Sequence, residues 1–237
     1  MKKNISKLNE QFRTSSIHEV LDYFLCNHRG KIAQASSLGA EDQILTDLIL
    51  KKDKNVKVFT LDTGRLHEQT YQVMDETNKK YQIKMDVYYP DYKNIQQLYK
   101  DQGINGFKES VENRKTCCYM RKIEPLKRAL RGLDVWITGL RKSQSQTREE
   151  MQLIEWDEGN NLIKVNPLIE WSEEGIWDYI EKNNVPYNQL HKQGYPSIGC
   201  QPCTRAIKEG EDIRAGRWWW ENPEHKECGL HLKGDKK

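Results

Sequence analysis

The chain has 237 residues, of which 31% are charged and 36% hydrophobic, and its formal net charge is +3. This length suits one sizeable α/β domain with an appended segment, or two small domains. So small a positive charge gives no argument for a nucleic-acid partner, and no apolar run is long enough to span a bilayer.

The first residues and the cysteines indicate the compartment. The opening MKKNISKLNEQF is basic but has no apolar stretch, so we expect no secretion signal. The chain has six cysteines. In a reducing cytoplasm, clustered cysteines bind metals or take part in catalysis more often than they form disulfides. We therefore expect a cytoplasmic protein with a metal-binding or catalytic cysteine site.

Hydrophobic periodicity predicts strands and helices that alternate along most of the chain. The predicted strands cover residues 31–36, 56–61, 84–89, 134–139 and, as an edge strand, 162–165. The predicted helices cover residues 17–26, 44–49, 68–81, 95–102, 114–130 and 172–183. This alternation predicts an α/β fold with a parallel sheet and ligands at the carboxyl ends of the strands. Cys26 lies on the apolar side of its helix, so we expect it in the core.

Three polar loops follow predicted strands. Residues 36–42 (SSLGAED) connect a strand to a helix, an arrangement that presents backbone N–H groups and a helix dipole to an anion. The loop lacks the Gly-Lys-Ser/Thr of a Walker A motif. Residues 62–65 (DTGR) and 140–148 (LRKSQSQTR) occupy equivalent places, and the second loop carries cations. Arginines at the mouth of a parallel sheet suit phosphate or carboxylate ligands, because their forked donors match those anions.

Four cysteines form two pairs, Cys117-Cys118 and Cys200-x-x-Cys203. Two pairs suit a tetrahedral metal site, either zinc or an iron–sulfur cluster. Zinc sites usually place two to four residues between paired ligands, so the adjacent cysteines favour iron. Lys122 follows Cys118 by one helical turn, which predicts that both lie on one face.

Cys228 lies in a short polar segment near the end of the chain. It is surrounded in sequence by His225, Lys226 and His231. Nearby cationic or imidazole groups favour the thiolate, which is the form that attacks an electrophile. Since terminal segments are often without function, this pattern alone does not establish a nucleophile.

Together these features resemble the assimilatory sulfonucleotide reductases, and among them the adenylyl-sulfate (APS) reductases that carry an iron–sulfur cluster. The matching segments are SSLGAED (36–42), LDTGRLH (61–67), CCxxRKxxPL (117–126), residues 138–148, GYxSIGCxxCT (194–204), GRWWWE (216–221) and KECGLH (226–231). The resemblance covers nearly the whole chain from about Lys31. Both cysteine pairs together with the ECGLH segment make it highly specific.

The resemblance implies a parallel-sheet fold of the adenine nucleotide hydrolase-like (PP-loop) type with a mobile C-terminal tail. We expect residues 1–208 to form this domain and residues 209–237 to carry the nucleophile. The implied reaction converts APS to sulfite and AMP, in sulfate assimilation for cysteine biosynthesis. By the same resemblance, Cys228 is the nucleophile and a [4Fe-4S] cluster is held by Cys117, Cys118, Cys200 and Cys203.

The implied substrate-binding residues come from several loops. They are Ser36, Ser37, Gly39, Glu41, Asp42, Leu61, Asp62, Gly64, Arg65, Lys122, Gly139, Arg141, Arg148, Arg214, Arg217 and His231. Once four cysteines hold a cluster, no second free cysteine is well placed to reduce Cys228. We therefore expect thioredoxin or glutaredoxin as the reductant, and a homo-oligomer is left open.

Three alternatives remain from the sequence. The first is a reductase that prefers or also accepts 3′-phosphoadenylyl sulfate (PAPS); in this family, members without cluster cysteines use PAPS, which favours APS here. The second is a tRNA-modifying PP-loop enzyme, from whose Ser-Gly-Gly-x-Asp-Ser loop Leu38 and Ala40 depart. The third is a non-catalytic zinc-binding module whose tryptophans, residues 218–220, contact a partner. We favour packing of these tryptophans onto the domain over stacking on a base.

Overall fold

A computed structural model of the chain describes residues 2–144 and 150–222. Its strands are β1 (Ile32–Ser36), β2 (Lys57–Leu61), β3 (Asp86–Tyr88), β4 (Val135–Ile137), β5 (Ile154–Asp157) and β6 (Leu162–Val165). Its α-helices are α1 (Ile5–Gln11), α2 (Ile17–Asn27), α3 (Ala40–Lys52), α4 (Glu68–Tyr81), α5 (Tyr92–Gln102), α6 (Val111–Cys118), α7 (Glu124–Ala129) and α8 (Glu173–Lys182). No helix of the described ranges is long and apolar enough to cross a membrane.

The strands form one sheet in the order β3-β2-β1-β4-β6-β5. The pairs β1–β2, β1–β4 and β4–β6 are parallel. In the described residues, β5 pairs with β6 in the antiparallel direction. The predicted parallel α/β fold is confirmed. The prediction that residues 162–165 form an edge strand is wrong, because β6 lies between β4 and β5 and all its residues are buried.

Contacts divide the described chain into two compact units. The first unit comprises the described part of residues 1–60, residues 72–86 and the described part of residues 130–188. The second comprises residues 61–71, residues 87–129 and the described part of residues 189–237. The predicted boundary after residue 208 stays a prediction.

The core of the first unit is built from the apolar faces of its helices and strands. Buried side chains of α2, α3 and α8 form one cluster with those of β1, β4 and β6. Helix α2 begins with a capping box, in which Ser16 and Glu19 satisfy each other's backbone N–H groups. On the same helix Cys26 is exposed, so the prediction that it lies in the core is wrong.

The predicted helix over residues 114–130 is interrupted. Helix α6 ends at Cys118, a π-helical segment covers Tyr119–Ile123, and α7 begins at Glu124. Segments of this kind occur often at functional sites, because the wider turn re-aims the side chains that it carries. Here the segment carries Arg121 and Lys122, directly after the two adjacent cysteines.

Candidate functional site

In the first unit, Asp42 joins two of the predicted anion-binding loops. One of its carboxylate oxygens accepts hydrogen bonds from the backbone N–H and the hydroxyl of Ser37, at 2.7 and 2.6 Å. The other accepts from the backbone N–H of Gly139, just beyond β4, at 3.0 Å. Burial raises the pKa of Asp42 to about 6, although the Ser37 and Gly139 hydrogen bonds oppose that rise. Asp42 thus connects the loop at Ser37 with the loop at Gly139 through hydrogen bonds to its two carboxylate oxygens.

The backbone of the loop between β1 and α3 contains a left-handed residue. Leu38 has a φ of 62°, a conformation that costs a leucine about 1 kcal/mol. Its side chain is buried in a cluster with Val58 and Val73, which offsets that cost. The Ser36 hydroxyl accepts from the Leu38 N–H at 3.1 Å, and Gly39 forms the N-cap of α3. The loop therefore holds the exposed Ser37 at the amino end of a helix.

Arg141 and Glu41 form an ion pair at the same edge of the first unit. The Nε and Nη2 atoms of Arg141 both lie 2.8 Å from Glu41 Oε1. Arg141 also donates to the Ser143 hydroxyl at 2.8 Å and is almost completely buried. Because these contacts occupy its guanidinium, Arg141 serves in this structure to hold the two loops together.

In the second unit, the turn after β2 is organised by Asp62. Its Oδ1 accepts from the backbone N–H of Gly64 at 2.7 Å and from the Tyr71 hydroxyl at 3.0 Å. Burial, followed by the contact with Asp62, raises the pKa of Tyr71 to about 12. Gly64 has a φ of 71°, which suits glycine. Leu61, the last residue of β2, is half-buried. The turn therefore presents Thr63 and Arg65 to the residues described next.

The four paired cysteines lie around one cavity in the second unit. The empty space in the cavity, together with the open solvent at its mouth, is about 390 Å³. Its lining is formed by Arg65, Phe107, Arg114, Cys117, Cys118, Arg121, Lys122, Cys200, Pro202, Cys203, Arg217 and Trp218. Lys122 and Cys118, which were predicted to lie on one face of a helix, both line this cavity. Two cysteine pairs from distant parts of the chain therefore meet, beside several cations.

The pKa values of three cavity thiols are shifted in different directions. Burial raises the pKa of Cys203 to about 12 and also raises that of Cys117. Burial raises the pKa of Cys200 too, but Lys122, a hydrogen bond with Thr63 and two arginines outweigh it, so that the net shift is downward. The Cys200 Sγ lies 3.3 Å from the Thr63 hydroxyl oxygen. Positive charge thus favours the thiolate of Cys200, whereas burial favours the neutral thiols of Cys117 and Cys203.

Three buried N–H donors of residues that line the cavity have no hydrogen-bond partner in the described part of the chain. They are Nε of Arg121, Nε of Arg217 and Nε1 of Trp218. Buried donors without acceptors cost free energy, so an acceptor in the cavity would relieve that cost. Sulfur atoms and thiolates are acceptors of the required kind. The donor set therefore fits a sulfur-containing anionic group bound among the four cysteines.

The four thiols border one cavity. Within residues 2–144 and 150–222, no group of three His, Cys, Asp or Glu side chains is placed to hold a metal ion. A zinc ion needs four ligands around one point, whereas each thiolate of an iron–sulfur cluster binds a different iron. The residues that line the cavity offer the thiols and the N–H donors that a cluster requires.

Arg217 reaches the cavity because Gly199 leaves room for it. A Cβ atom on Gly199 would lie 2.6 Å from the Arg217 Cζ. The Arg217 guanidinium lies 4.6 Å from the ring of Trp218, and its Nη1 donates to the Ser197 hydroxyl at 3.3 Å. The predicted cation Arg214 lies in the preceding turn, where its backbone N–H bonds to Asp212. The lining of the cavity does not include it.

The structure adds cavity residues that were not among the predicted set. They are Phe107, Arg114, Arg121, Pro202 and Trp218, and Thr63, which was not predicted either, contacts Cys200 of the cavity. Two had a signal in the sequence: Thr63 lies between the predicted Asp62 and Gly64, and Arg121 precedes Lys122. The only signal for Arg114 was its position three residues before Cys117 on the same helix. Trp218 is almost completely buried, as the packing interpretation of the tryptophans predicted.

Three of the predicted residues lie outside the described ranges. They are Arg148, Cys228 and His231. The predicted tail, with its nucleophile, also lies there beyond Asn222. Their roles stay predictions.

Comparison with known proteins agrees with this geometry. Residues 31–206 match the sequence model of the phosphoadenosine phosphosulfate reductase domain. The chain is 52% identical over 209 residues to adenosine 5′-phosphosulfate reductase of Allochromatium vinosum, which covers 88% of this chain and 82% of that protein. It is 47% identical over 220 residues to the enzyme of the same name from Neisseria meningitidis serogroup B, covering 92% and 89% of the two chains.

A solved structure gives the same result for the fold. The crystal structure of phosphoadenylyl-sulfate (PAPS) reductase from Candida auris, in complex with phosphate, superposes with a TM-score of 0.74 at 28% identity. The match covers 87% of this chain and 98% of that one. The predicted fold type is confirmed by this similarity.

Proposed function

Since the chain belongs to the phosphoadenosine phosphosulfate reductase family, we propose that it reduces adenylyl sulfate to sulfite and AMP. The expectation of an adenylyl-sulfate reductase of sulfate assimilation is confirmed by the two relatives of that name. The structural observation that carries the proposal is the cavity of four cysteines, bordered by Lys122, Arg121 and Arg217. Such a cavity combines thiolate ligands with the positive charge that an anionic nucleotide requires.

The proposed cofactor is a [4Fe-4S] cluster on Cys117, Cys118, Cys200 and Cys203. Two features support it: the thiols border one cavity, and the same cavity is lined by residues whose buried N–H donors have no partner in the described part of the chain. When bound, the cluster would supply a compact anionic centre that neutralises and orders the neighbouring cations. No electron transfer through it is needed for the steps below.

The proposed nucleophile is Cys228. Among the six cysteines, four are assigned to the cluster and Cys26 is exposed on α2 of the first unit. The Cys228 thiolate attacks the sulfur of adenylyl sulfate, and the bond between sulfur and the phosphate oxygen breaks. AMP leaves with that electron pair, and an S-sulfocysteine forms. The sulfonate is thus held covalently on Cys228 before any reductant arrives.

A dithiol protein then completes the reaction. One of its thiolates attacks the Cys228 Sγ, and sulfite leaves with the electron pair of the S–S bond. The second thiol of the same protein attacks the resulting mixed disulfide and returns Cys228 as a thiolate. The dithiol is oxidised to a disulfide and the sulfate group is reduced to sulfite, so the electrons balance. Thioredoxin or glutaredoxin, in a cytoplasm that keeps thiols reduced, fits this requirement.

The substrate-binding residues have two proposed kinds of role. Lys122 and Arg217, with the predicted Arg148, Arg214 and His231, would stabilise the sulfonate and phosphate charges. The loop at Ser37 would supply backbone and hydroxyl donors at the amino end of α3. The remaining predicted residues of the first unit position these groups: Asp42 holds Ser37 and Gly139, and Glu41 holds Arg141.

Mass analysis tests the proposal directly. The protein is incubated with adenylyl sulfate in the absence of reductant, digested and analysed for a sulfonate group. We expect one sulfonate on the peptide that contains Cys228, with release of one AMP. Absence of the adduct, or its appearance on another cysteine, would contradict the covalent mechanism. The same measurement with PAPS gives the nucleotide preference, and equal rates would show dual specificity.

A further inference from the structure

A group of aromatic side chains in the second unit surrounds one lysine. The ammonium group of Lys108 lies 6.0 Å from the ring centre of Phe107, 5.6 Å from that of Trp219 and 5.5 Å from that of Trp220. Trp219 and Trp220 are in edge-to-face contact at 4.8 Å, and Phe107 lies 5.9 Å from Trp220. We refer to Phe107, Lys108, Trp219 and Trp220 as the aromatic face.

Part of the aromatic face is open to solvent, although its inner side is packed. Phe107 is 3% exposed, whereas Trp219 is 39% exposed and Lys108 is also exposed. Ile104, at 62% exposure, lies beside it, since Arg65 stacks on Phe107 and donates to the Ile104 carbonyl at 2.8 Å. Large apolar side chains exposed together mark interaction sites, because leaving them in water is unfavourable.

The sequence places the aromatic face close to the proposed nucleophile. Cys228 is the sixth residue after Asn222, the last described residue. Six residues span at most roughly 20 Å. A protein that brings its own thiol to the Cys228 Sγ therefore places that thiol within about this distance of Asn222. Trp219 lies three residues before Asn222 and is the exposed tryptophan of the aromatic face.

We propose that the aromatic face is the docking surface for the dithiol protein that releases sulfite from Cys228. Tryptophan and a cation beside it are typical energetic centres of interfaces. A small apolar area with one central charge suits a partner that must bind and leave in every turnover. The partner's surface around its redox cysteine should accordingly be apolar and carry a carboxylate for Lys108. This inference rests on the proposed function, because it needs a sulfonated Cys228.

The test separates the two half-reactions. Enzyme sulfonated with adenylyl sulfate is isolated, and sulfite release is followed after addition of reduced thioredoxin or, in parallel, of dithiothreitol. The variants are Trp219→Ala and Lys108→Glu. For each we expect the second-order rate constant with thioredoxin to fall about tenfold or more, the effect expected of a residue central to an interface. The rate with dithiothreitol and the rate of adduct formation should stay unchanged.

The chain offers a matched control. Tyr92, which is 64% exposed, lies under the ammonium group of Lys93 in the same unit but is not part of the aromatic face. The variants Tyr92→Ala and Lys93→Glu remove an equivalent aromatic–lysine contact, and both should react with thioredoxin at the wild-type rate. Lys108→Glu changes only an exposed side chain, so it keeps the test valid if Trp219→Ala does not fold.

The other outcomes identify what would be wrong. An unchanged thioredoxin rate in both variants would overturn the docking surface. An equal fall with thioredoxin and dithiothreitol, or slower adduct formation, would mean that the aromatic face acts on the segment carrying Cys228, and would also overturn it. A dimer that the variants convert to a monomer, without loss of the thioredoxin rate, would assign the face to a second copy instead. Failure of the wild-type protein to form the adduct would contradict the proposed function itself.

Discussion

Arg114 and Glu221 form a buried, bidentate ion pair in the second unit. The Arg114 Nε and Nη2 atoms each lie 2.9 Å from a Glu221 carboxylate oxygen, and the two side chains are 1% and 4% exposed. Arg114 also stacks on Trp218, at 4.8 Å from the ring centre. It precedes Cys117 by three residues on α6, and Glu221 precedes Cys228 by seven. The pair thus connects the cysteine cavity to the beginning of the segment that carries the proposed nucleophile.

Removal of the charge on Glu221 should destabilise the protein strongly. In Glu221→Gln, Arg114 stays buried and charged but loses its carboxylate counter-ion, because its guanidinium stays protonated at all accessible pH values. Breaking one partner of a buried pair costs about 3–5 kcal/mol. We expect a loss at the lower end of that range, measured as the free energy of unfolding in urea, together with slower sulfonation of Cys228.

A second ion pair in the same unit is the control for this prediction. Arg205 and Glu211 are also bidentate, at 2.9 and 3.0 Å, but their side chains are 35% and 30% exposed to solvent. Exposed pairs contribute little to stability, since water screens them. Glu211→Gln should therefore leave both the unfolding curve and the sulfonation rate near wild type. Equal losses in the two variants would show that burial of the Arg114 pair has no special effect.

The pairing of Arg114 with Glu221 shows where sequence reasoning ends. The alternation of strands and helices could be read from periodicity, which is local, but this pair is 107 residues apart and has many competing partners. Strand β5 was missed because acidic residues, Glu155 and Asp157, interrupt its apolar pattern and leave it short. Because β5 pairs with β6 on its outer side, β6 is not the edge strand that was predicted.

The candidate site was predictable to different degrees for different residues. The meeting of the two cysteine pairs followed from the family resemblance, and the structure confirms that they share one cavity. The hydrogen bonds by which Asp42 and Arg141 hold their own loops together could not be predicted, because a loop sequence does not show which polar atoms face inward. The same is true of Leu38, whose left-handed conformation is stabilised only by burial among residues distant in sequence.

Asp42 should make the stability of the protein depend on pH. Its pKa in the folded protein is about 6, against an ordinary value of 3.8, so the folded state takes up a proton more readily than the unfolded state. Its favourable contribution is therefore complete below about pH 4 and is lost as the pH rises through 6. Relative to Asp42→Asn, wild type should lose about 3 kcal/mol between pH 4 and pH 7, as measured by urea unfolding.

The control for this pH dependence is an exposed carboxylate in the same unit. Asp22 is 58% exposed and pairs with Lys52. Asp22→Asn changes the net charge by the same amount as Asp42→Asn. Its unfolding free energy should run parallel to that of wild type across the pH range. If the curve of Asp42→Asn also runs parallel to that of wild type, burial does not raise the pKa of Asp42.

Gly199→Ala should displace Arg217 from the cavity. The added Cβ would overlap with the guanidinium, and a flexible arginine is the group that moves. Arg217 would then lose its place over Trp218 and beside the cysteines, so that one cation no longer faces the nucleotide. We expect the KM for adenylyl sulfate to rise about tenfold, as when one charged contact to an anion is lost. Gly159→Ala, where a Cβ would meet only an ordinary contact at 3.4 Å, should leave KM unchanged.

Cys228→Ser should abolish sulfonation while nucleotide binding persists. The hydroxyl is a far weaker nucleophile than a thiolate at neutral pH, and no other thiol of the proposed mechanism replaces it. Binding of AMP by calorimetry and the absorbance of the iron–sulfur cluster should both be retained. Cys26→Ser removes an exposed thiol from the first unit and should be sulfonated at the wild-type rate. Normal turnover of Cys228→Ser would contradict the assignment of the nucleophile.

Substitution of one cavity cysteine should release the metal. Protein purified without oxygen is expected to be brown and to contain iron and acid-labile sulfide in equal amounts. Cys203→Ala removes one of four ligands and uncovers an iron, so iron and sulfide contents should fall to a small fraction of wild type while the first unit keeps its helical signal in circular dichroism. Cys26→Ala, the matched cysteine substitution outside the cavity, should retain both. A colourless wild-type protein with one zinc ion per chain would instead support the zinc-binding alternative.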